Sequence, residues 1–285
     1  MKIRRILKLV WDEFVYGGHL ASVAAASAVF SSALLLDINI TWDCLLLIYL
    51  GTYVIYSYNR FREFGKDSLT NPLRTEHIRR YVKYIPLIDF LAIIIAISTL
   101  LYFGKLPALF FWLFLLFVGI FYSVFLKKIT KTLVAFKSFV IASVYVLLVV
   151  FLSIYYSFSP NLPFFLVLIF VYLRLFMITV FFDIKDVDSD KKEGLRTLPI
   201  ILGQKRIVDF LIVLNIVSAF PIVVGLYFHI LPVASLMLLI VIPYALYYFS
   251  KLQKKRESAD ALSYVYSDGE PILWPVAIFL GRILL

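Results

Sequence analysis

Residues 162–190 read LPFFLVLIFVYLRLFMITVFFDIKDVDSD. From Leu162 to Phe182 the only charged residue is Arg174, and the four aspartates Asp183, Asp186, Asp188 and Asp190 then follow at once. An apolar run of about 20 residues is long enough to cross a hydrocarbon layer about 30 Å thick. The stretch therefore reads as a membrane-crossing helix that delivers an acidic cluster to one surface.

Working outward, similar runs recur along the whole chain of 285 residues, which is 62% hydrophobic and 16% charged, with a mean hydropathy of +0.94. Lipid is its main solvent. Continuous apolar runs without two-residue alternation select helices over a barrel. The spacing predicts spans at 19–36, 42–58, 82–103, 107–125, 133–156, 163–182, 207–228, 231–250 and 270–285. The expected fold is all-α: an integral membrane protein of about nine transmembrane helices in one bundle around a central cavity. The whole of 1–285 forms one multi-pass domain.

Orientation follows from the basic residues. Of the 28 Lys and Arg, all but Lys105, Arg174 and Arg282 fall in the N-terminal segment, in the connections after spans two, four, six and eight, or at their edges. Basic connections stay cytoplasmic. The N terminus and the loops 59–81 and 183–206 are thus expected on the cytoplasmic side of the cell membrane. In residues 1–17, Ile3, Ile6, Leu7, Val10, Trp11, Phe14 and Val15 make one apolar stripe opposed by charges. It reads equally as a helix lying in the interface or as the first turns leading into span one. Lone Cys44 excludes a disulfide or a cysteine metal cluster, and His19, His77 and His229 form no ligand pattern. No phosphate-binding glycine loop occurs, and nothing suggests nucleic acid.

Two acidic stripes carry the chemistry. Asn59, Glu63 and Asp67 stand at i, i+4 and i+8 past span two, on one face if the helix continues. Asp183, Asp186 and Asp190 stand at i, i+3 and i+7 past span six, and Asp188 points away. Clustered carboxylates at an interface repel one another unless cations compensate. Hard oxygen ligands suit Mg²⁺, which uses one or two carboxylates and completes its shell with substrate phosphates. Basic residues interleave with both stripes, Arg60, Arg62, Lys66 and Arg74 in the first loop and Lys185, Lys191, Lys192 and Arg196 in the second. Carboxylates and cations together fit a Mg-bridged diphosphate better than a bare cation.

The paired motifs N-x-x-x-E-x-x-x-D and D-x-x-D-x-x-x-D resemble those of the UbiA superfamily of intramembrane prenyltransferases. The resemblance includes Lys192-Glu193-Gly194-Leu195-Arg196-Thr197-Leu198-Pro199, Asn71-Pro72-Leu73-Arg74, and Tyr122-Ser123-Val124-Phe125-Leu126-Lys127, with Phe125 where the family usually has Pro. It implies Mg²⁺ held by Asn59, Glu63, Asp67, Asp183, Asp186 and Asp190, and transfer of a prenyl group from an isoprenoid diphosphate to an aromatic or lipid acceptor. Asp67, Asp183, Asp190 and Tyr122 are the expected catalytic residues. Arg62, Arg74, Lys127, Lys137 and Arg196 are the expected diphosphate cations. The competing function is a transporter of divalent cations or polyphosphate that uses the same carboxylates. It would need polar groups continuing to the outer face, and the outer halves of the spans are nearly free of charge.

Departures from the family pattern bear on the acceptor. Arg60 follows Asn59 where Asp is frequent, Glu63 replaces Asp, and Arg4-Arg5-Ile6 lacks the usual R-P pair. Asp89 and Arg174, charged inside spans, should pair or face a cavity, and an Asp89–Arg174 or Asp89–Lys137 pair is one arrangement open to them.

Overall fold

A computed structural model describes residues 2–254 and 261–285, with the side chains of 2–3, 66–70 and 126–128 outside the description. Among the described residues every regular element is a helix. The order is α1 (Lys2–Tyr16), α2 (His19–Leu35), α3 (Trp42–Thr70), α4 (Pro72–Ile78), α5 (Ile85–Tyr102), α6 (Leu106–Val124), α7 (Phe136–Tyr155), α8 (Leu162–Phe182), α9 (Val187–Glu193), α10 (Leu198–Ser218), α11 (Phe220–Tyr227), α12 (Val241–Gln253) and α13 (Glu270–Leu284). Short 3₁₀ segments precede α5, α7 and α12, and a π turn at Leu262–Ser267 precedes α13.

Six helical segments are long and apolar enough to cross a membrane: Val82–Tyr102, Leu106–Val124, Phe136–Tyr155, Leu162–Phe182, Leu198–Tyr227 and Val233–Gln253. α2 and α13 are shorter, at 17 and 15 residues, and the apolar part of α3 is diluted by Thr, Tyr, Ser and Asn. Pro86, Pro107, Pro163, Pro199 and Pro271 each stand in the first turn of a helix. There the missing N–H costs nothing and the fixed φ starts the helix.

The span expected at 207–228 differs in outline. Its helix begins at Leu198, breaks at Gly203 (φ 75°, ψ 166°) and is interrupted again at Ala219, before Pro221. The next span begins as a 3₁₀ segment, Val233–Ile240, before α12. α1 is bent 61° from α2. Its Ile6, Leu7, Val10 and Trp11 are exposed as an apolar face.

α2 packs against α3, α7, α8 and α13, and the succession α3, α6, α7, α8 closes around it. Its buried face is built of Ala21, Ala24, Ala25, Ala28, Ser31 and Ser32. Small side chains let helix backbones approach in lipid, where close packing replaces the hydrophobic drive. Gly281 does the same for α13, since a Cβ there would lie 2.5 Å from the Ala234 carbonyl oxygen.

The charge in mid-membrane is resolved within the bundle. Arg174, fully buried on α8, donates from Nε to Glu270 of α13 at 2.9 Å and also to Asn215 and Ser218 of α10. Tyr248 and Trp274 donate to the same Glu270. Neither Asp89 pair is formed: Arg174 pairs with Glu270 and Lys137 with Asp183. Asp89, on α5, takes part in neither pair, and its Oδ1 is buried without a hydrogen-bond partner among the described residues.

Candidate active site

The ends of α3, α6 and α8, the start of α7, and the short helices α4 and α9 meet at one end of the bundle. α8 stops at Asp183, whose carboxylate is buried. Lys137 Nζ lies 2.7 Å from its Oδ1, and Ser138 Oγ donates to Oδ2 at 2.9 Å. Both partners occupy the first turn of α7. That turn is fixed by backbone bonds from Ala135 N to Arg196 O (2.9 Å) and from Arg196 N to Thr130 O (2.8 Å). The segment around RTLP and the segment after YSVFLK are thus joined main chain to main chain.

The second stripe is not one continuous helix. After Asp183 the chain makes tight turns, with Ile184 N bonded to Phe181 O and Asp186 N to Asp183 O, and α9 begins after Asp186. The expected inward face survives the break because each turn keeps nearly helical pitch. Asp183 and Asp190 are buried, Asp186 is partly buried, and Asp188 is exposed. Gly194, at φ 72°, ends α9 and lets Leu195 N return to Asp190 O at 2.8 Å.

Lys185 links this stripe to the first loop. Its Nζ donates to Asp186 Oδ1 at 2.7 Å and to Asn71 Oδ1 at 2.9 Å, across 114 residues of chain, and it lies over the rings of Phe182 and Tyr264. Tyr264 donates to the same Asn71 oxygen at 2.7 Å. Tyr122 stands near both motifs, its hydroxyl within electrostatic reach of Lys137, Asp183, Glu63 and Asp190. That hydroxyl is buried without a hydrogen-bond partner among the described residues.

α3 continues through Thr70, so the helical spacing of Asn59, Glu63 and Asp67 holds for the backbone. The side chains of Asp67 and Lys127 lie outside the described residues. Arg62 is already engaged, donating to the carbonyls of Ser123 and Val124 at the end of α6. Exposed Arg196 donates to Thr132 O at 3.1 Å. Arg74 is half-buried on α4 beside Asn71.

Among the described residues no three His, Cys, Asp or Glu side chains converge as a metal centre. Asp183 and Asp186 instead carry Lys137 and Lys185 as counter-ions. The donor set nonetheless fits Mg²⁺, since it is made of carboxylate and amide oxygens with no sulfur or imidazole. Ser138, Lys185 and Tyr264 are site residues that the motif spacing did not single out. Lys185 was legible only as a cation within D-x-K-D, and Tyr264 carried no sequence signal.

A model of the UbiA prenyltransferase family matches residues 20–267. The chain belongs to this family. Its fold is that of two archaeal UbiA homologues of known structure. One, from Archaeoglobus fulgidus and bound to GPP and Mg²⁺, has a TM-score of 0.66 at 14% identity, covering 96% of this chain and 99% of that one. The other, the apo homologue from Aeropyrum pernix K1, has a TM-score of 0.65 at 14% identity, covering 94% and 98%. Digeranylgeranylglyceryl phosphate synthase from Methanosphaera stadtmanae is 31% identical over 80 residues, which span 28% of this chain and 29% of that relative. The UbiA-family match takes in α2 to the π turn, and so both acidic motifs.

Proposed function

We propose that this UbiA-family chain transfers a prenyl group from an isoprenoid diphosphate to a hydrophobic acceptor within the membrane, as a Mg-dependent prenyltransferase. The observation that carries the reading is the convergence of both acidic motifs at one end of the bundle, joined by Lys185 on Asn71 and by Tyr122 within reach of Glu63, Asp183 and Asp190. The Archaeoglobus homologue with bound GPP and Mg²⁺ supports the same donor and metal here. The acceptor is a lipid or aromatic molecule, and the partial relative that makes a glyceryl phosphate lipid favours a lipid.

Asn59, Glu63, Asp67, Asp183, Asp186 and Asp190 would hold the metal. Bound Mg²⁺ would neutralise charge growing on the leaving diphosphate. Lys137, Arg74, Lys127 and Arg196 add fixed cations around that group. Lys137 serves in both states, as counter-ion to Asp183 before binding and as phosphate contact afterwards. The donor C1–O bond breaks with its electron pair leaving on the diphosphate, the allylic cation is captured by an acceptor oxygen or carbon, and the acceptor loses a proton. The Tyr122 hydroxyl, buried without a hydrogen-bond partner among the described residues, is positioned to orient the donor oxygen or the cation.

The topology that goes with this reading is nine spans, with a cytoplasmic N terminus and the site on the cytoplasmic face, and the distribution of basic residues supports it. The test is incubation of the purified protein with labelled prenyl diphosphates and membrane lipid extract. A Mg-dependent labelled lipid or aromatic product is expected. Release of no prenyl product with any donor, alongside metal flux in sealed vesicles, would sink the reading in favour of transport.

A further inference from the structure

Glu13 stands in the last turn of α1, outside both acidic motifs, yet three donors from three parts of the chain converge on it. His77 Nε2, on α4, lies 2.7 Å from its Oε2, the Tyr81 hydroxyl just past α4 lies 3.1 Å from Oε1, and His19 Nε2, at the start of α2, lies 3.4 Å from Oε1. Although burial opposes them, these bonds hold the carboxyl down at about 2. An ionised carboxylate only accepts, so His77 donates from Nε2. His77 is itself buried.

The element that this bond holds is α4, the seven residues Pro72–Ile78. A helix of two turns does not keep its own place, and contacts at its ends must fix it. Both ends are anchored. At the first, the Asn71 side-chain oxygen accepts from Lys185 at 2.9 Å and from Tyr264 at 2.7 Å, which ties it to the second motif. At the last, His77 is tied to α1. Arg74, one of the diphosphate cations in the reading above, lies between the two anchors. Aromatic contacts run the same way. The Tyr16 ring lies 6.2 Å from His77 and meets Tyr264 edge-on at 5.8 Å, and Tyr264 meets Phe182, the residue before Asp183, at 5.3 Å. The last turn of α1 thus touches the supports of both motifs.

We propose that Glu13 is a positioning residue of the donor site: acting through His77, it holds the far end of α4 so that Arg74 meets the diphosphate, and α1 is the strap that completes the first-motif loop. The inference rests on the prenyl-transfer reading above. With the His77 anchor cut, α4 pivots about Asn71, and a displacement of about 1 Å in a charged contact is enough to weaken it severely. Neither Glu13 nor His77 touches the reacting atoms, so the loss falls on donor affinity and not on the chemical step.

The test is equilibrium binding of labelled geranyl diphosphate with Mg²⁺, which reads the dissociation constant and the number of sites separately. Glu13→Ala and His77→Ala are each expected to weaken binding about tenfold with sites per chain unchanged. The double variant should be no weaker than Glu13→Ala alone, because both act through one bond. His77→Gln, whose amide nitrogen can take the place of Nε2, should recover most of the affinity. In transfer assays the alanine variants should raise donor KM by a similar factor and leave kcat within about threefold. An unchanged dissociation constant in Glu13→Ala overturns the proposal, and so does a loss of sites at an unchanged constant, which would assign Glu13 to the fold alone. Losses that multiply in the double variant overturn the route through His77. A wild type that binds no geranyl diphosphate overturns the prenyl-transfer reading and the strap with it, whereas Mg-dependent binding that Glu13→Ala leaves intact overturns the strap alone.

Discussion

Lys137 Nζ stands 2.7 Å from Asp183 Oδ1, and Ser138 holds the other carboxylate oxygen at 2.9 Å, so the aspartate ending α8 is gripped by the first turn of α7. A buried carboxylate held by one cation and one hydroxyl is already organised to exchange that cation for a metal. The pair fixes the position of the second acidic motif before any ligand binds.

Asparagine substitutions should separate the buried aspartates from the exposed one. Asp183→Asn and Asp190→Asn remove charge while nearly keeping shape, and each is expected to lower prenyl transfer by about 10²- to 10⁴-fold, the scale of a lost metal contact. Asp188→Asn, on the exposed side of α9, should stay within about threefold of wild type. Initial rates at saturating Mg²⁺ with one donor measure both, and an Asp188 effect as large as that of Asp183 would show that the loop binds metal in another conformation.

The link between the motifs can be cut at Asn71. Its side-chain oxygen accepts from Lys185 and from Tyr264. Asn71→Ala leaves a buried ammonium with one partner fewer and should lower stability by about 1–3 kcal/mol. Donor KM should rise more than kcat falls, because the change loosens the site without touching the reacting atoms. Thermal unfolding in detergent and donor titrations together check this.

In the membrane interior, Arg174 and Glu270 depend on each other. Arg174→Met alone strands a fully buried carboxylate and Glu270→Met strands the guanidinium, each at a cost of about 3–5 kcal/mol. The double variant Arg174→Met, Glu270→Met should recover much of that loss. Folded yield and thermal midpoint of the three variants form a double-mutant cycle, and additive losses would mean that the pair is not coupled.

Much of this was legible in the sequence. Apolar length placed the six long apolar spans, and the spacing of Asp183, Asp186 and Asp190 put them inward and Asp188 outward, because near-helical turns preserve that geometry. Partners distant in the chain were not legible. Asp89 stood open as a partner for Arg174, yet its acid is Glu270, 96 residues away, and only the packing of α8 beside α10 and α13 decides that. The break after Asp183 was also hidden, since no glycine or proline marks it.

Acid should loosen the α1 anchor. Burial pushes Glu13 up, but hydrogen bonds with His19, His77 and Tyr81 outweigh it and bring the carboxyl down to about 2. Its folded pKa lies below the unfolded value of 4.5, so its contribution is present above that value and is lost as pH falls toward about 2. Glu13→Gln should remove this part of the pH dependence, leaving a flatter stability curve between about pH 5 and pH 2. Denaturation midpoints across that range, compared with wild type, measure the difference.

The central claim is that both acidic motifs form one Mg-dependent diphosphate site. Equilibrium binding of labelled geranyl diphosphate to the purified protein, with Mg²⁺ and with EDTA, tests it most directly when Asp183→Asn and Glu63→Gln are run beside the wild type. Wild-type binding should need Mg²⁺ and disappear in EDTA, and each variant, one from each motif, should lose affinity by at least about tenfold. Binding undiminished in EDTA, or sensitive to one motif and indifferent to the other, would contradict it.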